Sequence, residues 1–253
     1  MKLGLILVTL LGSSLSFAQS IRSSSNSSTY HTSIVKTAEM TCDSKDLRKV
    51  LTAEGELITR LCFKEYRNCM FEGSCLVEDA NGSRIGISYH KYDPVADQSY
   101  FSKTDLKQCG FGYGFGKVSD GVAGLTCLIP YFTASADPLA HNVGEVIRIA
   151  ALEGVKLPTG EIHDGYVIIA DYAEGYIDTG IDQYSLFTGT ESDTDAKNVF
   201  AKLGFSNPSN SFKYELVSEE KAAQVRAQRG FKVLKTFKKT FKAAVNPMLE
   251  QQD

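Results

Sequence analysis

The sequence DGYVIIADYAEGYIDTGIDQYSLFTG, residues 164–189, decides the fold. Two runs rich in β-branched and aromatic residues, 166–170 and 181–187, flank a polar loop that contains glycine. This pattern predicts a strand, a turn and a second strand. Asp171 ends the first run and Asp182 stands near the start of the second, so the loop can bring both carboxyl groups together. Closely placed carboxylates cannot both ionise freely, and one of them then keeps a raised pKa and can donate a proton.

The first 18 residues have the pattern of a secretory signal peptide. Lys2 precedes an apolar core at residues 3–11, and Ser16, Phe17 and Ala18 form a small-x-small cleavage site. The apolar core is too short for a permanent membrane anchor, although an uncleaved anchor is the alternative. We therefore expect export to the periplasm or the exterior, with a mature chain that is soluble after cleavage.

Composition argues against nucleic-acid binding. The 253 residues carry a formal net charge of −3, so no bulk positive charge is present to attract phosphates. The chain is long enough to bury the core of one compact domain or of two small ones, and a monomer is expected. Residues 19–35 are rich in serine and poor in apolar side chains, which predicts a flexible linker.

All six cysteines follow the signal peptide. An even number of cysteines in an exported chain favours disulfides, and the absence of paired C-x2-C units makes zinc the weaker interpretation. Six cysteines allow 15 pairings, which the sequence leaves open. We expect Cys42–Cys62, Cys69–Cys75 and Cys109–Cys127, because each of these bridges closes a short loop.

Residues 36–109 form the cysteine-rich N-terminal region. Runs 57–63 and 84–89 have the composition of strands. Asn81-Gly82 lies between apolar runs and predicts a hairpin turn. Residues 110–116 then alternate glycine with aromatic residues, which predicts either a shelf on which sugars stack or a tight β-bend packed on the core.

A motif with three aspartates connects the middle of the chain to a known family. Asp137-Pro138 is followed by Gly144 and an apolar run, and the pairs Ala170-Asp171 and Ile181-Asp182 stand eleven residues apart. This arrangement resembles the 3D domain, which is named for three aspartates that Asp137, Asp171 and Asp182 match. It also resembles the catalytic barrel of membrane-bound lytic transglycosylase A. The resemblance covers about residues 110–190.

The resemblance implies a mainly β fold with a six-stranded double-psi β-barrel. It implies cleavage of the β-1,4 bond between N-acetylmuramic acid and N-acetylglucosamine in peptidoglycan strands, without a cofactor or metal. By motif position Asp182 is the general acid and base, and Asp171 is its orienting neighbour. The candidate substrate contacts are Asp137, Tyr172, Asp178 and Tyr184.

Departures from the family motif leave other functions open. Tyr172-Ala173-Glu174 replaces Thr-Gly-Gly, and Asp178 replaces a later glycine. A divergent barrel that binds glycan without cleaving it, or a structural envelope-interaction protein, is therefore the alternative. Glu174 or Asp178 could supply a second acid for hydrolysis. A calcium site formed by Asp171, Glu174, Asp178 and Asp182 would lack the EF-hand spacing.

Residues 191–253 are predicted to form a helical C-terminal extension. A short helix is expected at 196–203, with Asp193 or Thr194 as its cap and Gly204 as its stop. A long amphipathic helix is expected from Ser218 to about Val245, rich in lysine and with apolar residues at helical spacing. Its basic face could contact anionic lipid or wall polymers, or the helix could dock on the barrel.

Overall fold

The computed structural model describes residues 21–24, 26–119, 121–173, 183–207 and 209–237. Its strands are β1 Ile21–Ser24, β2 Asn26–Tyr30, β3 Ser33–Lys36, β4 Leu47–Leu51, β5 Leu57–Cys62, β6 Ser74–Glu78, β7 Arg84–Asp93, β8 Gln98–Thr104, β9 Tyr113–Ser119, β10 Val122–Cys127, β11 Thr133–Ala136, β12 Val146–Arg148, β13 Tyr166–Tyr172, β14 Gln183–Phe187, β15 Phe212–Leu216 and β16 Lys235–Phe237. Its helices are α1 Phe63–Phe71, α2 Val199–Lys202 and α3 Glu219–Gln228, with short 3-10 turns at Thr37–Glu39, Ser44–Asp46 and Ala150–Leu152. The predicted signal peptide lies outside the described residues.

The fold is mainly β and centres on a curled, half-barrel sheet. Seven strands follow the order β1-β15-β12-β13-β11-β14-β2. The hairpin of β9 and β10, joined by β16, forms a separate three-stranded sheet that packs on β13. The resemblance implies a closed six-stranded barrel. The described strands of this part of the chain form the seven-stranded sheet, and its closure into a barrel stays a prediction.

The serine-rich segment predicted to be a flexible linker instead forms strands. β1 pairs with β15, β2 pairs in parallel with β14, and β3 pairs in parallel with β6 of the N-terminal sheet. Low apolar content did not prevent strand formation because the backbone hydrogen bonds of β2 are made with a distant segment, residues 183–187. The domain boundaries at residues 18, 35, 109 and 190 otherwise stay a prediction.

The N-terminal region is a six-stranded sheet covered by α1, and it agrees with the sequence predictions. The strands predicted at 57–63 and 84–89 are β5 and β7, and β6 and β7 form the hairpin at the Asn81-Gly82 turn. The expected disulfides are confirmed as Cys42–Cys62, Cys69–Cys75 and Cys109–Cys127. Disulfides of this kind each contribute roughly 2–4 kcal/mol to the free energy of unfolding of small exported domains.

Side-chain alternation gives the seven-stranded sheet two different faces. On one face Ala134, Ala136, Tyr184 and Leu186 enter a core that also holds Phe200 and Phe205. On the other face Ile168, Ala170 and Phe187 pack with Leu128 and with Ala222 and Val225 of α3. Because successive strand residues point to opposite faces, Ser135 and Ser185 belong to this second face.

The alternating glycines of β9 allow two strands to touch. A methyl group added at Gly114 would lie 2.4 Å from the backbone oxygen of Ala170 on β13. One added at Gly116 would lie 2.4 Å from Val143 Cγ2 and 3.7 Å from the carbonyl carbon of Asp171. The glycine run is therefore a close strand crossing packed on the core, as in the second predicted role, but its residues 113–116 lie in a strand rather than in a tight bend.

The C-terminal helix is shorter than predicted. α3 is capped by Ser218 as expected but ends at Gln228, and Gly230 follows with a φ of 63°. Residues 235–237 are strand β16, so Leu234 and Phe237 do not form the predicted helical stripe. Arg229 of this segment faces the protein, where it pairs with Glu161 and Asp164.

This arrangement corrects the amphipathic helix expected at 218–245, of which residues 238–245 lie outside the described residues. The short helix expected at 196–203 is α2, whose cap is Asn198 rather than Asp193 or Thr194, and Gly204 follows its C-terminus. In the part of the chain that the structure describes, no helix is both long and apolar enough to cross a membrane.

Gly114→Ala tests the strand crossing. The new methyl group would meet the fixed backbone oxygen of Ala170, so we expect a loss of about 2–4 kcal/mol in the free energy of unfolding. Urea denaturation measures this loss. Gly110→Ala is the matched control, since its methyl group would meet only Leu106 O at 3.8 Å. Equal stability of both variants would contradict the crossing.

Candidate functional site

A shift in strand register places Asp171 at the candidate site. Ala134 of β11 pairs with Ile169, but the next residue, Ser135, pairs with Asp171, so Ala170 is an extra residue on β13. Such irregularities re-aim side chains and are common next to active sites. The carbonyl oxygen of Ala170 accepts a 2.8 Å hydrogen bond from the Thr126 hydroxyl of β10. The shift therefore places Asp171 on the face of Ser135, toward β9.

The backbone of β9 then holds the Asp171 carboxyl group. Its Oδ1 atom accepts hydrogen bonds from the N–H groups of Phe115, at 2.9 Å, and Tyr172, at 3.0 Å. Oδ2 has no hydrogen-bond partner among the described residues. Burial raises the pKa of Asp171 to about 7, although the Phe115 and Tyr172 N–H groups act in the opposite direction. Asp171 can therefore both hold and release a proton near neutral pH.

The raised pKa agrees in direction with the sequence prediction, but its cause differs. The sequence predicts that a second carboxylate raises the pKa of one member of the Asp171–Asp182 pair. For Asp171, the largest cause is removal of the carboxyl group from water. Asp182 lies outside the described residues, as do Glu174 and Asp178.

A row of hydroxyl groups extends from Asp171 across the sheet. Asp171 pairs with Ser135, Ser135 with Ser185, and Ser185 with Ser28, on four neighbouring strands. The hydroxyl groups of Ser28 and Ser185 are hydrogen-bonded to each other. Ser135, between Asp171 and Ser185, is buried. We call these four residues the polar row.

Aromatic rings border one end of the polar row. Phe115 and Tyr172 meet edge to face with centroids 5.9 Å apart, and Phe237 contacts Phe115 at 5.8 Å. Tyr172 remains half-buried. Its position beside Asp171 agrees with the predicted substrate contact, which stays a prediction.

Two other predicted substrate contacts have structural roles. The Oδ1 atom of Asp137, a residue only 8% exposed, accepts a 2.8 Å hydrogen bond from the Leu139 N–H group and closes the turn after β11. Tyr184 is 2% exposed and packs edge to face on Tyr214 in the core. Residue alternation on β14 turns the Tyr184 ring into the core, and its role as a substrate contact stays a prediction.

The described segments that end at residue 173 and begin at residue 183 meet the seven-stranded sheet at the same place, beside the C-terminal end of β11. Ala173 donates a backbone hydrogen bond to the Ala136 carbonyl at 3.1 Å, and Ala136 pairs with Tyr184 on the other side. Residues 173 and 183 therefore lie on either side of the end of β11, close to Asp137. This is the edge at which the sequence predicts that the aspartates meet.

The polar row is not evident from the sequence alone. Ser28 lies in the segment interpreted as a linker, while Ser135 and Ser185 are single serines in apolar strands. The sequence signal for Ser135 and Ser185 is that each serine alternates with apolar residues along its strand. Only the strand pairing shows that Ser135 and Ser185 lie in register with Asp171 across the sheet.

The polar row lines neither of two cavities, of about 470 and 290 Å³, on the protein surface. Across the described ranges, no group of three or more His, Cys, Asp or Glu side chains is placed to hold a metal ion. The described residues of the site supply a carboxyl group, hydroxyl groups and backbone amides.

Comparison with known proteins gives structural matches alone. No family model and no curated protein matches the chain. A membrane-bound lytic murein transglycosylase from Agrobacterium tumefaciens is 11% identical, with a TM-score of 0.43 over 79% of this chain and 75% of that one. Escherichia coli MltA with bound chitohexaose is 9% identical, with a TM-score of 0.44 over 77% and 71%. The lytic transglycosylase LtgG of Burkholderia pseudomallei is 11% identical, with a TM-score of 0.35 over 75% and 70%.

Asp171→Asn tests the raised pKa through stability. In the wild type the folded carboxyl has a pKa of about 7 and the unfolded one a pKa of about 4, so folding favours the protonated form. The contribution of this carboxyl group to the free energy of unfolding is fully present below pH 4 and is lost as the pH rises through 7. Asparagine cannot ionise, so the variant should gain roughly 1–2 kcal/mol relative to wild type between pH 5 and pH 8, allowing for partial exposure.

Urea denaturation of both proteins at the two pH values gives this difference. A difference that stays constant from pH 5 to pH 8 would show that Asp171 is ionised throughout.

Proposed function

We propose that this protein is an exported lytic transglycosylase-like enzyme. It cleaves the β-1,4 bond between N-acetylmuramic acid and N-acetylglucosamine in peptidoglycan, and leaves a 1,6-anhydro end. The observation that carries the proposal is the Asp171 carboxyl group at a strand end, which is held by the N–H groups of Phe115 and Tyr172 and has a pKa of about 7. A group that both gives and takes a proton works best when its pKa is near the working pH.

The reaction needs one carboxyl group to act twice. The acid form first gives its proton to the glycosidic oxygen as the bond to C1 breaks. The carboxylate then takes the proton of the C6 hydroxyl group as that oxygen bonds to C1. No water is consumed, and the carboxyl group ends protonated as it began.

Asp182 performs these transfers by motif position, and Asp171 supports it. The support comes from the setting of Asp171, because burial at this strand end disfavours a charged carboxyl group. A second carboxyl group placed beside it would experience the same desolvation together with repulsion from any charge on Asp171. Both effects keep a proton on the pair at neutral pH.

The polar row is suited to a sugar polymer. Ser28, Ser135 and Ser185 offer hydroxyl groups that can both donate and accept hydrogen bonds, as sugar hydroxyl groups do. The half-buried ring of Tyr172 offers an apolar surface beside Asp171. We propose that glycan lies along this row, with its scissile bond at Asp171, on a barrel that closes as a double-psi fold.

Export agrees with the redox state of the chain. The six cysteines form three disulfides and none is free. Disulfides of this kind persist in oxidising compartments such as the periplasm or the exterior. A protein placed there has direct access to peptidoglycan.

The second candidate function is glycan binding without cleavage. Tyr172 stands where the related motif has threonine, and its ring packs on Phe115 instead of leaving the close approach that small residues allow. Such a barrel would keep the polar row but hold the sugar too far from the acid. Product analysis separates these two functions.

Digestion of purified sacculi tests the proposal, with products identified by mass. Wild type should release muropeptides with 1,6-anhydro ends. Asp182→Asn should reduce their release by about 10²–10⁴-fold because it removes the transferable proton. Asp171→Asn should reduce release less and should abolish its pH dependence near pH 7. Asp43→Asn, at an exposed residue of the N-terminal region, is the matched control and should leave release unchanged.

Two results would decide against cleavage by this site. Equal release by wild type and Asp182→Asn would exclude Asp182 as the proton carrier. Binding of wild type to sacculi without any anhydro product would establish the second candidate function instead.

A further inference from the structure

A cavity of about 470 Å³ lies close to the candidate site. Val143 forms part of its wall, and a methyl group built on Gly116 would contact both Val143 and the backbone of Asp171. The loop that carries the wall is fixed to β13, because Gly144 donates to the Ile169 carbonyl and Ile169 donates to the Glu145 carbonyl, each at 2.8 Å. Cavities of about 300–1,000 Å³ are suited to small ligands.

The cavity has apolar walls and one unsatisfied acceptor. Val118, Val143, Phe231 and Val233 supply the walls. The Asn142 side chain donates through Nδ2 to Glu145 Oε1 at 3.1 Å, which fixes the orientation of the amide. Its Oδ1 atom is buried and has no hydrogen-bond partner among the described residues. A ligand that supplies an N–H or O–H group would remove the cost of this buried, unpaired oxygen.

Charges of both signs line the same cavity. Arg226 donates to the Gly144 carbonyl at 2.7 Å and pairs with Glu219. Lys232 lines the cavity and forms no ion pair within the described residues. Burial alone would raise the pKa of Glu145, but hydrogen bonds from His141 and Asn142 lower it overall, so Glu145 is anionic at neutral pH. Two cations and two anions together match a zwitterion better than a ligand of a single charge.

We propose that this cavity binds a short zwitterionic peptide, with a carboxylate of the peptide on Lys232 and a peptide N–H group on Asn142 Oδ1. This inference rests on the proposed function and extends it, since peptidoglycan strands carry short peptides on their sugars. Gly116 of β9 packs between Val143 of the cavity wall and the backbone of Asp171, so a glycan at Asp171 would carry such a substituent one strand away from the cavity. The cavity would therefore select strands that retain their peptides over stripped ones.

Calorimetric titration of the mature full-length protein with the free tripeptide L-alanyl-γ-D-glutamyl-L-lysine tests this site without any cleavage. Wild type should bind the tripeptide. Lys232→Glu should weaken binding by about tenfold or more, since it replaces a charge-assisted hydrogen bond by repulsion. Lys213→Glu, at an exposed lysine of β15, is the matched charge control and should bind as wild type does.

Asp171→Asn should also keep wild-type affinity for the tripeptide, which separates this site from the cleavage site. Thermal unfolding of Lys232→Glu confirms that the variant is folded. Failure of wild type to bind, or equal affinity of wild type and Lys232→Glu, overturns the peptide site even if sacculi are cleaved. Tripeptide binding by a protein that releases no anhydro products would instead keep the site and reject the cleavage reaction.

Discussion

The contact between β9 and β13 is the constraint on which the site depends. Gly114 and Gly116 present no side chain to β13, so the backbones of the two strands approach closely at Ala170 and Asp171. This approach brings the Phe115 N–H group to the Asp171 carboxyl and partly removes that group from water. A carboxyl group at an ordinary strand end would stay hydrated and ionised at neutral pH.

The same contact links stability with function. A desolvated carboxyl group lowers stability as the pH rises, and the two backbone N–H groups offset only part of that cost. Active sites commonly hold groups in such unfavourable settings because the perturbed pKa is what the chemistry requires. The rigid surroundings compensate, since disulfides hold the N-terminal sheet and buried apolar residues cover both faces of the seven-stranded sheet.

Much of the fold follows from local sequence signals. The turn at Asn81-Gly82, the strands around Asp171 and the three short disulfide loops are predicted correctly, because each depends on residues near one another in the chain. The Ser218 cap of α3 is likewise local. Asp171 is named from the sequence by its place in the three-aspartate motif, and its role stays a proposal.

The remaining features depend on distant pairing. The serine-rich segment becomes β2 because β14, more than 150 residues later, supplies its hydrogen-bond partners. Tyr184 enters the core because strand register decides its face, and no local signal fixes that register. The predicted C-terminal stripe fails because residues 235–237 pair with β10 and extend the hairpin sheet. Propensity and periodicity do not describe such contacts.

The most direct test of this account is a ¹³C NMR titration of the Asp171 carboxyl carbon in the mature protein, assigned by comparison with Asp171→Asn. Close packing of β9 on β13 predicts a titration midpoint near pH 7. A midpoint below pH 5 would show that water reaches the carboxyl group, and the physical basis for a proton carrier at this strand end would be lost.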